Sequence, residues 1–166
     1  MADMDPFETQ RKVGGEVAAE LEAVGFENAE EIGRGGFGVV YRCVEVGLDR
    51  AVAVKILTAD LNEENTARFL REQRAMGQLT GHPNIVDVFH ADITGSGRPY
   101  LVMPYHPQGS LGDQIRQHGP LPVEAALRLG VKIAGALETA HRLGIIHRDV
   151  KAGEYPAHRI WRTRAD

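Results

Sequence analysis

Three groups of residues in this 166-residue sequence are suited to handling phosphate. The first, Gly33-Arg34-Gly35-Gly36-Phe37-Gly38, spaces its glycines as G-x-G-x-x-G. Backbone N–H groups approach phosphate oxygens closely only where no Cβ intervenes, and glycine supplies that freedom. A dinucleotide-binding turn of this pattern follows a strand and opens a helix. Here the strand-forming run Val39-Val40-Tyr41-Arg42-Cys43-Val44 follows, so the glycines read as a hairpin. A plain flexible hairpin satisfies the same pattern. The second group pairs Lys55, in Val52-Ala53-Val54-Lys55, with Glu72. Glu72 stands three residues after Phe69 and four before Met76, so on a helix it shares their inward face. A carboxylate on such a face needs a cation, and Lys55 is the obvious candidate. A solvated glutamate and a surface lysine are the plainer readings. The third group, His147-Arg148-Asp149-Val150-Lys151, crowds titratable side chains directly after an apolar helix.

These groups need elements to hold them. Val39, Val40, Tyr41, Cys43, Val44 and Val46 form one β-rich run, and Ala51, Val52, Val54 and Ile56 another. Gly47-Leu48-Asp49 lies between them as a turn. With the glycine hairpin before them, this predicts three consecutive antiparallel strands. A helix capped by Asp60 or Asn62 is expected to run to about Met76, ended by Gly77 and Gly81-His82-Pro83. Ile85–Phe89 and Tyr100–Met103 read as two more strands around Gly95-Ser96-Gly97. Beyond a connector at Pro104–Gly109, Leu111–Gln117 reads as a short helix stopped by Gly119-Pro120. Val123–Leu143 reads as a longer one ended by Gly144, with Leu129, Ile133, Leu137 and Ala140 at helical spacing. The lead-in from Arg11 to Val24 reads as a short helix without chemistry.

Composition sets the class. Hydrophobic residues make up 43% and charged residues 25% of the chain, as in an ordinary globular domain. A net charge of -4 gives no sign of a nucleic-acid or polybasic membrane partner. Cys43 is the single cysteine, which excludes an internal disulfide framework and suits a reducing compartment. The acidic N-terminus lacks the pattern of a secretory signal, and charges interrupt every apolar run, so a cytoplasmic location is expected. His82, His90, His118 and His141 lack metal-ligand spacing.

The order of these motifs resembles that of the Hanks-type Ser/Thr protein kinase family over roughly residues 27–151. The resemblance implies an α+β, protein-kinase-like fold. Its N-lobe would hold five antiparallel strands and one helix, followed by the first helices of an incomplete C-lobe. It places an N-terminal lead-in at 1–26, the ATP-binding N-lobe at 27–104, and the hinge and partial C-lobe at 105–151. It further implies that Ile32, Gly33, Arg34, Gly35, Gly36, Phe37 and Gly38 cover ATP, that Lys55 contacts its phosphates, and that Glu72 positions Lys55. Val40 and Ala53 would roof the adenine, with Met103 as gatekeeper and the Pro104 carbonyl and His106 N–H facing the base. Asp149 would orient the substrate hydroxyl and Lys151 would steady the transferring phosphoryl group. The implied partners are ATP and a protein substrate; as a module without catalysis, the chain would instead associate with an intact kinase.

The family continues after that lysine with Pro-x-Asn, whose asparagine holds Mg²⁺. This chain has Ala152-Gly153-Glu154, so its Mg²⁺ site is expected to be incomplete. Dropping one base at codon 152 permits Pro-Gly-Asn-Ile-Leu-Leu, the family's continuation. Residues 152–166 are therefore expected to be a frameshifted tail on a truncated, inactive kinase domain. A nucleotide-binding fragment without catalysis is the alternative.

Overall fold

β-branched and aromatic side chains at alternate positions give each central strand one apolar face, and burying those faces together organises the first part of the molecule. The computed structural model describes residues 6–35, 38–57, 77–147 and 150, with side chains from residue 15 onward. It forms two compact units: Met1–Leu70 with Phe89–Tyr105, and Arg71–Val88 with His106–Asp166.

In the first unit, helix α1 (Pro6–Ala23) precedes strands β1 (Phe26–Gly35), β2 (Gly38–Glu45), β3 (Arg50–Leu57), β4 (His90–Ile93) and β5 (Pro99–Pro104). They make one five-stranded sheet in the order β1-β2-β3-β5-β4, with every neighbouring pair antiparallel. The α+β, kinase-like architecture expected from the sequence is thus present in this unit. Its core face carries Val39, Tyr41 and Cys43 from β2, Val52, Val54 and Ile56 from β3, and Tyr100 and Val102 from β5. Val17 and Leu21, four residues apart on α1, complete the same core with Phe26. The lead-in helix therefore belongs to the hydrophobic core of the sheet. Gly25, at φ 90°, turns the chain from α1 into β1, and its carbonyl accepts from Val46 N–H at 3.1 Å. The expected turn at Gly47-Leu48-Asp49 is a short 3-10 segment, Val46–Leu48, closed by Asp49 in the left-handed region at φ 46°.

One strand differs from expectation. Ile85–Phe89 is not a strand; β4 is His90–Ile93. Of that apolar run only Phe89 touches the ladder, its N–H donating to the Val102 carbonyl at 2.8 Å. A strand is defined by its partner, and β5 pairs with residues 90–93. Ile85, Val86 and Val88 are half-buried in the second unit instead.

In the second unit, α2 (Leu111–His118) starts from a capping box. Asp113 N–H donates to Ser110 Oγ at 3.1 Å, and Ser110 N–H donates to Asp113 Oδ2 at 2.7 Å. Gly119, at φ 84°, ends the helix ahead of Pro120. Helix α3 (Val123–Arg142) ends in a Schellman motif. Ile145 N–H donates to the Ala140 carbonyl at 3.0 Å and Gly144 N–H to that of His141 at 2.9 Å, with Gly144 at φ 74°. This stop releases the chain immediately before His147. The helix expected up to Met76 lies outside the described residues.

Candidate functional site

The face of the sheet turned away from the core carries the residues singled out by sequence. In an antiparallel ladder directly opposed residues point to the same side. Val40 on β2 opposes Lys55 on β3, and Lys55 in turn opposes Leu101 on β5. Ala53 opposes Met103. Since Val52, Val54 and Ile56 fill the core, Ala53 and Lys55 stand on the other face together with Val40, Leu101 and Met103. Ala53 is buried, while Val40, Lys55, Leu101 and Met103 are half-buried. The result is a largely apolar surface with the Lys55 ammonium set into it and the Arg42 guanidinium, opposite Ala53, beside it. Leu101 was not picked out by the sequence reading. Its alternation with Tyr100 and Val102, both core residues, was the available signal.

At the end of this surface β1 and β2 join in the glycine hairpin, with Gly35 paired to Gly38. The glycines do different work. A Cβ on Gly38, whose φ is 144°, would stand 2.0 Å from the Ile56 carbonyl oxygen, so the sheet itself demands glycine there. A Cβ on Gly33 or Gly35 would meet nothing within 4 Å. The described protein atoms therefore set no demand for glycine at 33 and 35, and the open space beside them suits an incoming ligand. Arg34 is exposed and gives a bidentate pair to Glu31, Nε to Oε1 at 2.9 Å and Nη2 to Oε2 at 2.7 Å. That hydrogen bonding raises the guanidinium's already high pKa, and so the side chain stays charged. Ile32 is largely exposed on the same strand.

β5 ends at Pro104, opposite Val52. His106 belongs to the second unit, where its carbonyl accepts from Gly109 N–H at 3.1 Å. Gly36, Phe37, Glu72, Asp149 and Lys151 lie outside the described residues, so the Lys55–Glu72 pair and the catalytic-loop roles remain expectations. Cys43 is fully buried on the core face, and burial pushes its thiol pKa up to about 11. It is a packing residue.

Comparison with known proteins extends this geometry. The family described as "Protein kinase domain" matches residues 26–154. The chain belongs to that family. Its curated relatives include the serine/threonine-protein kinase PknK of Mycobacterium tuberculosis, 60% identical over 153 residues, covering 92% of this chain and 14% of that protein. The serine/threonine-protein kinase PksC of Streptomyces coelicolor is 40% identical over 131 residues, covering 74% of this chain and 23% of that protein. The chain thus spans less than a quarter of the length of either relative. Among solved structures, the PknI kinase domain of Mycobacterium tuberculosis superposes with a TM-score of 0.66 at 29% identity, covering 78% of this chain and 53% of that one. Rad53 in complex with AMP-PNP gives the same TM-score at 26% identity, covering 78% of this chain and 33% of that one. The kinase assignment agrees with the sheet order, the glycine hairpin and the position of Lys55. Among the described residues no helix is long and apolar enough to cross a membrane.

Proposed function

We propose that the sheet face bearing Val40, Ala53, Lys55, Leu101 and Met103 binds ATP, and that the domain belongs to a cytoplasmic Ser/Thr protein kinase. The observation that carries this reading is the ladder register, which puts the lone ammonium of Lys55 on the same face as the apolar roof residues, beside a hairpin with open space at Gly33 and Gly35. Val40 and Ala53 cover the adenine, Met103 and Pro104 line its edge, and Lys55 neutralises phosphate charge. The N–H groups of residues 33–38 approach the phosphates. In the reaction the γ-phosphoryl group passes from ATP to a protein hydroxyl, which gives up its proton as the bond between the γ-phosphorus and the β–γ bridging oxygen breaks and ADP leaves. Asp149 orients that hydroxyl and Lys151 steadies the transferring charge. Mg²⁺ supplies neutralisation of the phosphates when bound.

The chain itself favours nucleotide binding over turnover, because Glu154 stands where the family places its metal-holding asparagine. We also propose that residues 152–166 are read in a shifted frame. Coding DNA that permits no Pro-Gly-Asn reading at codons 152–154 refutes that point.

The test of binding is a titration with a fluorescent ATP analogue, with and without Mg²⁺, on the full chain and on Lys55→Met. Saturable binding that weakens at least tenfold in Lys55→Met is the expected result. Absence of binding by the folded wild-type chain, or equal binding by Lys55→Met, overturns the reading.

A further inference from the structure

Among the described residues one polar side chain is buried, that of Thr94, and it joins two parts of the first unit that are far apart in sequence. Its hydroxyl donates to Glu20 Oε2 on α1 at 2.9 Å. Thr94 Oγ1 also accepts from Arg98 N–H at 3.1 Å and lies 3.0 Å from Ser96 Oγ. The second oxygen of Glu20 is 3.4 Å from Arg98 Nε. The turn between β4 and β5 is also closed by its own backbone, with Thr94 N–H donating to the Arg98 carbonyl at 2.8 Å and Gly97 N–H to that of Thr94 at 2.9 Å.

Glu20 lies between Val17 and Leu21 on the face of α1 that meets the sheet. Aliphatic packing is non-directional, so two such side chains hold a helix down without fixing its rotation or its position along the sheet. A carboxylate that accepts from a buried hydroxyl and forms an ion pair with a guanidinium fixes both. The element it fixes leads straight to the proposed nucleotide edge, since β5 runs from the latched turn at Pro99 to Met103 and Pro104.

We propose that Glu20 is a positioning residue. By latching α1 to Thr94 and Arg98 it holds the β4–β5 hairpin, and through β5 it holds the Met103–Pro104 edge. Its effect on ligand binding rests on the nucleotide reading above; its effect on the hairpin does not.

The test uses the full chain and combines amide hydrogen exchange with titration of the ATP analogue. In Glu20→Ala, amides at 94–104 exchange about tenfold faster relative to those of β2, as expected for one lost charge-assisted hydrogen bond. Analogue affinity falls several-fold, and Glu20→Gln, which keeps an acceptor for Thr94, recovers part of both. Val54→Ala is the control: it loosens the shared core without touching the latch, and the ratio of exchange at 94–104 to that of β2 stays as in wild type. Exchange that quickens only within α1, or a Val54→Ala ratio that moves as far as that of Glu20→Ala, overturns the latch. Faster exchange with unchanged affinity overturns its reach to the nucleotide edge. A wild-type chain that binds no analogue sinks the nucleotide reading, and the exchange arm then decides the latch alone.

Discussion

Replacing the glycines of the hairpin one at a time separates what the fold requires from what a ligand requires. At Gly38 an alanine Cβ would sit 2.0 Å from the Ile56 carbonyl oxygen, 3.0 Å from its carbon and 3.1 Å from Leu57 Cα. All three atoms are backbone in the β2–β3 ladder, so none yields by a side-chain rotation. Overpacking costs about 1–3 kcal/mol, and holding an L-residue near φ 144° adds about 1–3 kcal/mol. Gly38→Ala should therefore lose about 2–6 kcal/mol, a large part of the stability of a small unit. At Gly33 and Gly35 the added methyl meets no atom of the described residues within 4 Å and neither φ lies in the left-handed region. Gly33→Ala and Gly35→Ala should stay within about 0.5 kcal/mol of wild type. Urea unfolding followed by circular dichroism measures the stabilities, and titration of the ATP analogue measures binding. The expected pattern is stability lost at Gly38, and affinity lost with stability kept at Gly33 and Gly35. A Gly33→Ala variant as unstable as Gly38→Ala, or one that binds the analogue as wild type does, refutes this division of roles.

Four other outcomes are expected. The Cys43 thiol, fully buried with a pKa of about 11, should resist alkylation by iodoacetamide at pH 8 in the folded chain and react readily in urea; rapid reaction of the folded chain contradicts its placement. Hydrogen bonds from the Ser110 side chain and backbone hold the Asp113 pKa below its ordinary value. Its stabilisation of α2 should be complete above the ordinary carboxylate range and fade as pH falls through the lowered pKa, a dependence that Asp113→Asn should remove from a circular-dichroism acid titration. Ser110→Ala should cost about 0.5–2 kcal/mol of stability by urea unfolding. Val123, Leu127 and Val131 form a stripe on α3 at 77%, 66% and 74% exposure, so Leu127→Glu with Val131→Glu should reduce self-association in light scattering; equal association refutes a role for this stripe.

Much of the site was legible because its signals are local. The glycine spacing, the strand after it and the lysine two positions after Ala53 are covalent facts, and strand alternation then fixes which side chains share a face. Leu101 escaped notice because its role depends on which strand lies beside β3, and that neighbour is β5, far along the chain. The sheet order cannot be derived from alternation within either strand.

The sequence alone determined the β2–β3 hairpin, the two helices after the connector and their stops at Gly119 and Gly144, since positive φ and missing N–H groups act within a few residues. It also determined the kinase family, through motifs in fixed order. Only the tertiary structure decided that His90–Ile93, and not the more apolar Ile85–Phe89, forms β4, because pairing with β5 outweighs local propensity. It likewise decided that α1 belongs to the core. Two aliphatic residues and one glutamate carry no such message by themselves; they acquire it when Thr94 and Arg98, more than seventy residues away, arrive at the same helix face.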